Sequence, residues 1–180
     1  ENSILAAEAL ATAAGFEGMR YPTSNLDEGW FLLLLNQHHD PLMCPMATDG
    51  LWEKAMPARY ESAKAQINAA LTYTLNWLAT DIGTKAQPGT PIIVFNPMAW
   101  PRSVVVEAEM PGAHSSIRVT DLQGQVAPAQ VLETVNRRTT VAFRAMELPA
   151  LGWRTYYVAN SSEKSGDTSG GVTATEDLIE

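Results

Sequence analysis

"NWLATDIGTKAQPGTPIIVFN", residues 76–96, carries two incompatible periodicities within one short stretch. Up to Thr80 the apolar residues recur at helical spacing, with Ile67, Leu71, Leu75 and Leu78 on a single stripe. From Pro91 onward "IIVFN" is a β-branched and aromatic run of strand length. Between the two lie Gly83, Pro88, Gly89 and Pro91, residues that end helices and open turns. The chain is therefore expected to divide here, with a helical part over 1–85 and a β part over 86–180.

Upstream, the alanine- and leucine-rich "ENSILAAEALATAA" reads as a first helix, with Gly15 as its terminator. After the turn-like "YPTSN", Ser24 or Asn25 is positioned to cap a second helix carrying Leu26, Trp30, Leu33, Leu34 and His38. Pro41 disfavours helical backbone at Asp40, so this helix is expected to stop there, with His38 and His39 in its last turn. A third helix starts at Leu51 or Pro57 and runs to Thr80. Three helices joined by moderate loops predict a small antiparallel bundle. Downstream, "IIVFN", "SVVVEAEM", "SIRVTD", "TTVAFRAMEL" and "RTYYVA" read as antiparallel strands over residues 91–159. Their natural packing is a sandwich or part of one. "NSSEKSGDTSGG" has loop composition, and "VTATEDLIE" reads as one more strand. The fold class expected is α+β, a three-helix bundle followed by an antiparallel β-sandwich segment.

Composition narrows the partners. A net charge of −8, without a lysine or arginine cluster, argues against a nucleic-acid surface. An uncharged or carbohydrate partner fits better. The longest apolar run, Trp30–Leu35, is too short to cross a membrane, and residues 1–20 lack the basic start and apolar middle of a signal peptide. Cys44 is the single cysteine, so an internal disulfide is excluded. This leaves the compartment open, compatible with cytoplasm or periplasm. The abrupt start inside a helical pattern points to a piece of a longer polypeptide.

Two of the three histidines stand beside Asp40 at the end of the most apolar stretch, "LLLLNQHHDP". Imidazole and carboxylate in such surroundings need partners. Neighbouring residues of a helix point about 100° apart, so His38 and His39 are not expected to share one metal ion. Neutral imidazole suits zinc, which takes three or four protein ligands in all, and no further histidine lies nearby. His114 falls in a hairpin loop and is expected to face solvent. Asp27, Glu28 and Asp49 read as helix-start residues, Cys44 lacks a base partner beyond the histidine pair, and the five tryptophans read mainly as core anchors. A metal-dependent phosphohydrolase would require more histidines and aspartates on neighbouring helices than the chain offers.

Four stretches in order, "YPTSNLDEGW" (21–30), "LLLLNQHHD" (32–40), "PIIVFNPMAWPRSVVVE" (91–107) and "ELPALGWRTYYV" (147–158), resemble the middle and early C-terminal portions of family 38 glycoside hydrolases, the retaining α-mannosidases. The resemblance extends over nearly the whole chain. It implies an α/β-barrel-like catalytic domain before this segment, then a three-helix middle domain and β-sandwich domains. It further implies that His39 is a ligand of the active-site zinc and that Asp40 contacts substrate hydroxyls. The position of His38 is histidine in some members and phenylalanine in others. The implied partners are a mannose-containing glycan and the rest of the parent polypeptide, with no nucleic acid and no membrane. The remaining zinc ligands, the nucleophile and the general acid belong to the preceding domain. "PLMCPMATDG" (41–50) departs from the family, which continues here with Gly and Ser or Thr. The alternative is a non-catalytic carbohydrate-binding or structural module.

Overall fold

The computed structural model of the chain describes residues 1–39, 51–84 and 87–161, with side chains from residue 54 onward in the second span. Among these residues it forms helices α1 (Asn2–Phe16), α2 (Thr23–Gln37) and α3 (Leu51–Thr80). Seven strands follow: β1 (Thr90–Asn96), β2 (Arg102–Pro111), β3 (Ile117–Asp121), β4 (Val126–Ala127), β5 (Ala129–Val135), β6 (Arg138–Leu148) and β7 (Gly152–Asn160). The α+β class expected from the change of periodicity is the class observed. The chain forms two compact units, one of Glu1–Gly83 with Asn96–Trp100 and Ala150–Gly152, the other of Thr84–Phe95, Pro101–Pro149 and the chain from Trp153.

In the helical unit, α1 runs past Gly15 to Phe16 and is ended by Gly18 instead. Gly18 takes φ +97°, its N–H donates to the Gly15 carbonyl at 3.1 Å, and the Met19 N–H donates to the Ala14 carbonyl at 3.0 Å. This is a Schellman ending, which needs a left-handed residue one place beyond the cap and seals itself with an apolar contact. Met19 and Ala14 are both buried in the helical core. Neither Ser24 nor Asn25 caps α2. Pro22 stands at the cap, its carbonyl accepting from the Leu26 N–H at 3.2 Å, and no side chain bonds there. Asn25 instead donates from Nδ2 to Gln66 Oε1 on α3 at 2.7 Å.

The buried stripe of α3 is Ala63, Ile67, Ala70 and Thr74, while Leu71 and Leu78 are only half-buried beside it. Small residues take the inner face because the helices come close. A Cβ on Gly29 of α2 would lie 3.2 Å from Ile4 Cδ1 and 3.3 Å from Ile67 Cγ1. Ala7, Ala11 and Ala14 line the facing side of the core, with Ile4, Leu26 and Leu33 filling the space between.

The other unit is a pair of antiparallel sheets, β1-β7-β3-β4 and β2-β6-β5. One core joins them: Met110, Val141, Phe143, Ala145 and Leu148 from one sheet and Ile117, Val119, Ala127, Tyr156 and Val158 from the other. Alternation along β6, with Val141, Phe143 and Ala145 inward, is the pattern of a strand with one face in a core. The Phe143 and Tyr156 rings meet at 5.0 Å between centroids and 54° between planes. The Tyr156 hydroxyl accepts from the Met146 N–H at 2.8 Å and donates to its carbonyl at 3.3 Å, and burial raises its pKa above the ordinary value. Strands β4 and β5 were not expected from the sequence. β5 is an edge strand with little burial, so "AQVLETV" never shows a clear apolar alternation. Its link to β6 is the two-residue turn Asn136–Arg137, both at positive φ (51° and 60°), as a tight right-twisting hairpin demands.

His114, expected at the surface, is partly exposed there and is also engaged at both ring nitrogens. Nδ1 meets Asn160 Oδ1 and Nε2 lies 2.9 Å from the Pro111 carbonyl, while the His114 N–H donates to Thr139 Oγ1 at 3.1 Å. Gly112 lets the ring lie back over the chain, since a Cβ there would come within 2.6 Å of Nε2. Two oxygen acceptors are both satisfied only by the doubly protonated ring. The Asn160 bond first, and the Pro111 bond second, raise the His114 pKa above its ordinary 6.5, against a smaller lowering by burial. A raised folded value means that the stabilisation is fully present below the unfolded pKa and is lost as pH rises through the folded one. NMR titration of the chain should therefore find His114 titrating above free histidine. His114→Phe should remove that segment of the stability-versus-pH curve.

Two substitutions test the helical unit by urea titration. Gly18→Ala meets no neighbour within 4 Å, so its expected loss of about 1–2 kcal/mol is backbone strain alone. Gly29→Leu should cost about 1–3 kcal/mol by overpacking against Ile4 and Ile67.

Candidate functional site

The histidine pair stands at the exit of α2, but not in its last turn. The helix ends at Gln37, and His38 turns extended with φ −61° and ψ 137° before His39 returns to helical backbone. Pro41 restricts only the residue before it, so it does not explain a break three residues upstream at His38. The 100° separation of helical neighbours therefore does not apply. The two rings instead face each other, with centroids 4.5 Å apart and planes tilted by 30°, and both are exposed.

Side chains on the preceding turn hold this exit on two sides. Asn36 is fully buried and donates from Nδ2 to the Met56 carbonyl of α3 at 2.9 Å. Gln37 donates from Nε2 to Glu1 Oε1 at 2.9 Å. Nearly two turns earlier, Trp30 Nε1 donates to Glu8 Oε1 of α1 at 2.8 Å. The spacing of the sequence does not single out Asn36; its burial does. A fully buried amide in the last turn of an apolar helix is a signal that only the structure exposes.

As a donor set, the described residues are incomplete. Imidazole is the right chemistry for zinc, yet among the described residues no three His, Cys, Asp or Glu side chains converge on one point. Asp40, Cys44 and Asp49 lie outside the described residues. A cavity of about 310 Å³ beside α3 is lined by Glu1, Leu33, Tyr60, Glu61, Lys64 and Ile67, and neither histidine contributes to it. Asp27 and Glu28 are exposed on α2. Trp30 and Trp77 pack on the helical core as expected, whereas Trp100 and Trp153 are 57% and 48% exposed, the latter beside Phe95. No described helix is long and apolar enough to cross a membrane.

The "VFNPMAWPR" stretch owes its shape to Asn96, which is buried, donates from Nδ2 to the Trp100 carbonyl at 2.9 Å and accepts the Met98 N–H at 3.2 Å. The Leu151 N–H, from the "ALG" turn, donates to the Met98 carbonyl at 2.8 Å. Two of the sequence stretches singled out above thus meet through one backbone bond.

No protein-family model and no curated protein matches the sequence. Among solved structures, the fold is similar to that of an α-mannosidase from Enterococcus faecalis V583, with a TM-score of 0.60 and 20% identity. The similarity covers 92% of this chain and 22% of that one. The chain therefore has the fold of a segment of an α-mannosidase, and it spans about a fifth of that enzyme's length.

Proposed function

We propose that the chain is part of a zinc-dependent, retaining α-mannosidase of glycoside hydrolase family 38, acting on terminal α-mannosides of glycans. The fold it shares with an α-mannosidase over 92% of its length is the observation that carries this reading. The "NQHHD" motif at the exit of α2 supports it. In this reading His39 is one zinc ligand and Asp40 a contact to sugar hydroxyls, with the other ligands and both catalytic carboxylates supplied by another part of the polypeptide.

The reaction is a double displacement, in which one carboxylate attacks the anomeric carbon and a second, about 5 Å away, protonates the leaving oxygen. Zinc, when bound, supplies Lewis acidity at the 2- and 3-hydroxyls of mannose. His39 must be neutral to donate its lone pair. Asp40, ionised, accepts hydrogen bonds from a hydroxyl and favours the strained ring geometry of the transition state. The non-catalytic carbohydrate-binding module remains the competing reading, and turnover in the full-length polypeptide decides between them.

Three variants of the full-length polypeptide test the assignment by zinc content and turnover of an aryl α-mannoside. His39→Ala should lose the metal and more than about a hundredfold in activity. His38→Phe should keep both. Asp40→Asn should keep the metal and lose about 1.5–3 kcal/mol of transition-state binding. Retention of zinc by His39→Ala together with its loss from His38→Phe would reverse the ligand assignment. The 180-residue chain alone should show no turnover and only weak zinc binding by calorimetry.

A further inference from the structure

We infer that Asn36 is a positioning residue, whose amide fixes where the chain leaves α2 and so where His38 and His39 stand. For its effect on catalysis this rests on the mannosidase reading; for its effect on the histidine pair it does not.

Asn36 is an odd occupant of its place. The residue is fully buried, yet among the described residues only Nδ2 is bonded, to the Met56 carbonyl, and Oδ1 has no partner. A leucine would fill a position of this size without stranding an oxygen in the core. Packing alone therefore favours an apolar side chain here. What the amide provides is a directed bond, and its acceptor is informative. Met56 immediately precedes Pro57, the proline inside α3, which contributes no N–H to the helical ladder. The bond ties the last turn of α2 to α3 at the residue before that proline.

Its position relative to the histidines gives the bond leverage. Asn36 lies two residues before His38, where the backbone turns out of the helix at ψ 137°. Gln37, the residue between, is tethered in another direction, to Glu1. Helical ends fray when nothing holds them. Here the end is held from α3 by Asn36 and from the start of α1 by Gln37, directly before the stacked ring pair. The Asn36 side chain is buried and its bond part-buried, whereas that of Gln37 is exposed, so the former is the better shielded from competition by water.

The test separates positioning from packing, because the two roles predict opposite results for Asn36→Leu. In the 180-residue chain, urea unfolding should show Asn36→Leu at least as stable as the parent, and the NMR signals of the His38 and His39 rings should lose the mutual shifts of a stacked pair. In the full-length polypeptide the same variant should lose roughly 10–100-fold in zinc affinity or kcat, with KM little changed. Asn36→Met, which likewise has no donor for the Met56 carbonyl, should resemble Asn36→Leu in both ring signals and kcat. Clear destabilisation by Asn36→Leu, or ring signals unchanged in it, would overturn the inference. The His39→Ala control keeps the two ideas apart. If His39→Ala retains zinc and turnover, the mannosidase reading fails while the ring signals still judge Asn36. If it loses both and Asn36→Leu keeps both, Asn36 has no positioning role.

Discussion

The helical unit is organised around a missing carbon. Gly29 lets α2 settle where Ile4 of α1 and Ile67 of α3 leave no room for a Cβ in ordinary contact. The alanines at positions 7, 11, 14, 63 and 70 extend the same close fit along both partner helices. Close approach raises the dispersion energy of every neighbouring pair and leaves few rotamers for the larger side chains between. It also fixes the axial register, because polar pairs at the rim, Asn25 with Gln66 and Trp30 with Glu8, can form only when the helices stand at one height. The exit of α2, and with it the histidine pair, inherits that register.

The sandwich meets a different constraint. Its core is built from both sheets and centred on aromatic residues, so strand registers must bring Phe143 and Tyr156 together. The irregularities of β6 accommodate this demand. Between Ala145 and Leu148 that strand carries one residue more than its partner β2, with Glu147 at φ 46°. The bulge is tied down by Ser103 Oγ, which accepts the Glu147 N–H at 2.9 Å, and by Arg154 Nε, which donates to the Glu147 carbonyl at 3.1 Å. Bulges bend a strand and increase its local twist, and here the Tyr156 hydroxyl occupies the backbone groups of Met146 beside it.

For function, the informative contrast is between the two ends of the motif. Asn36 is sunk in the core with one polar atom unmatched among the described residues, and His38 and His39, two and three residues later, are exposed. A side chain that presents itself at a surface is useful to a ligand only if its backbone is immobile, since a loosely held group must be ordered at the moment of binding. A buried amide just behind an exposed imidazole is one way to meet that requirement. On the mannosidase reading, it would let a helical segment deliver a metal ligand to a site completed by a different part of the polypeptide.

Much of this architecture was legible in the sequence because it depends on periodicity. The spacing on α3, the apolar run of α2 and the β-branched strands report the type of element, although only Ile67 of the α3 stripe and Leu33 of the α2 run are buried, and the break after Thr80 follows from the proline and glycine content of residues 83–91. Local rules were less reliable at the ends of elements. Gly15 and Gly18 are both plausible terminators by residue type, and only the bonds from Met19 and Gly18 to the last helical turn choose the second. Strand β5 was hidden because an edge strand buries little and leaves no alternation to read. The histidines were visible as a motif, but their stacking was not, since it depends on His38 leaving helical backbone one residue after α2 ends. Asn36 was beyond the sequence altogether. Its meaning lies in a carbonyl twenty residues away, and only the packing of α2 on α3 brings the two within hydrogen-bonding distance.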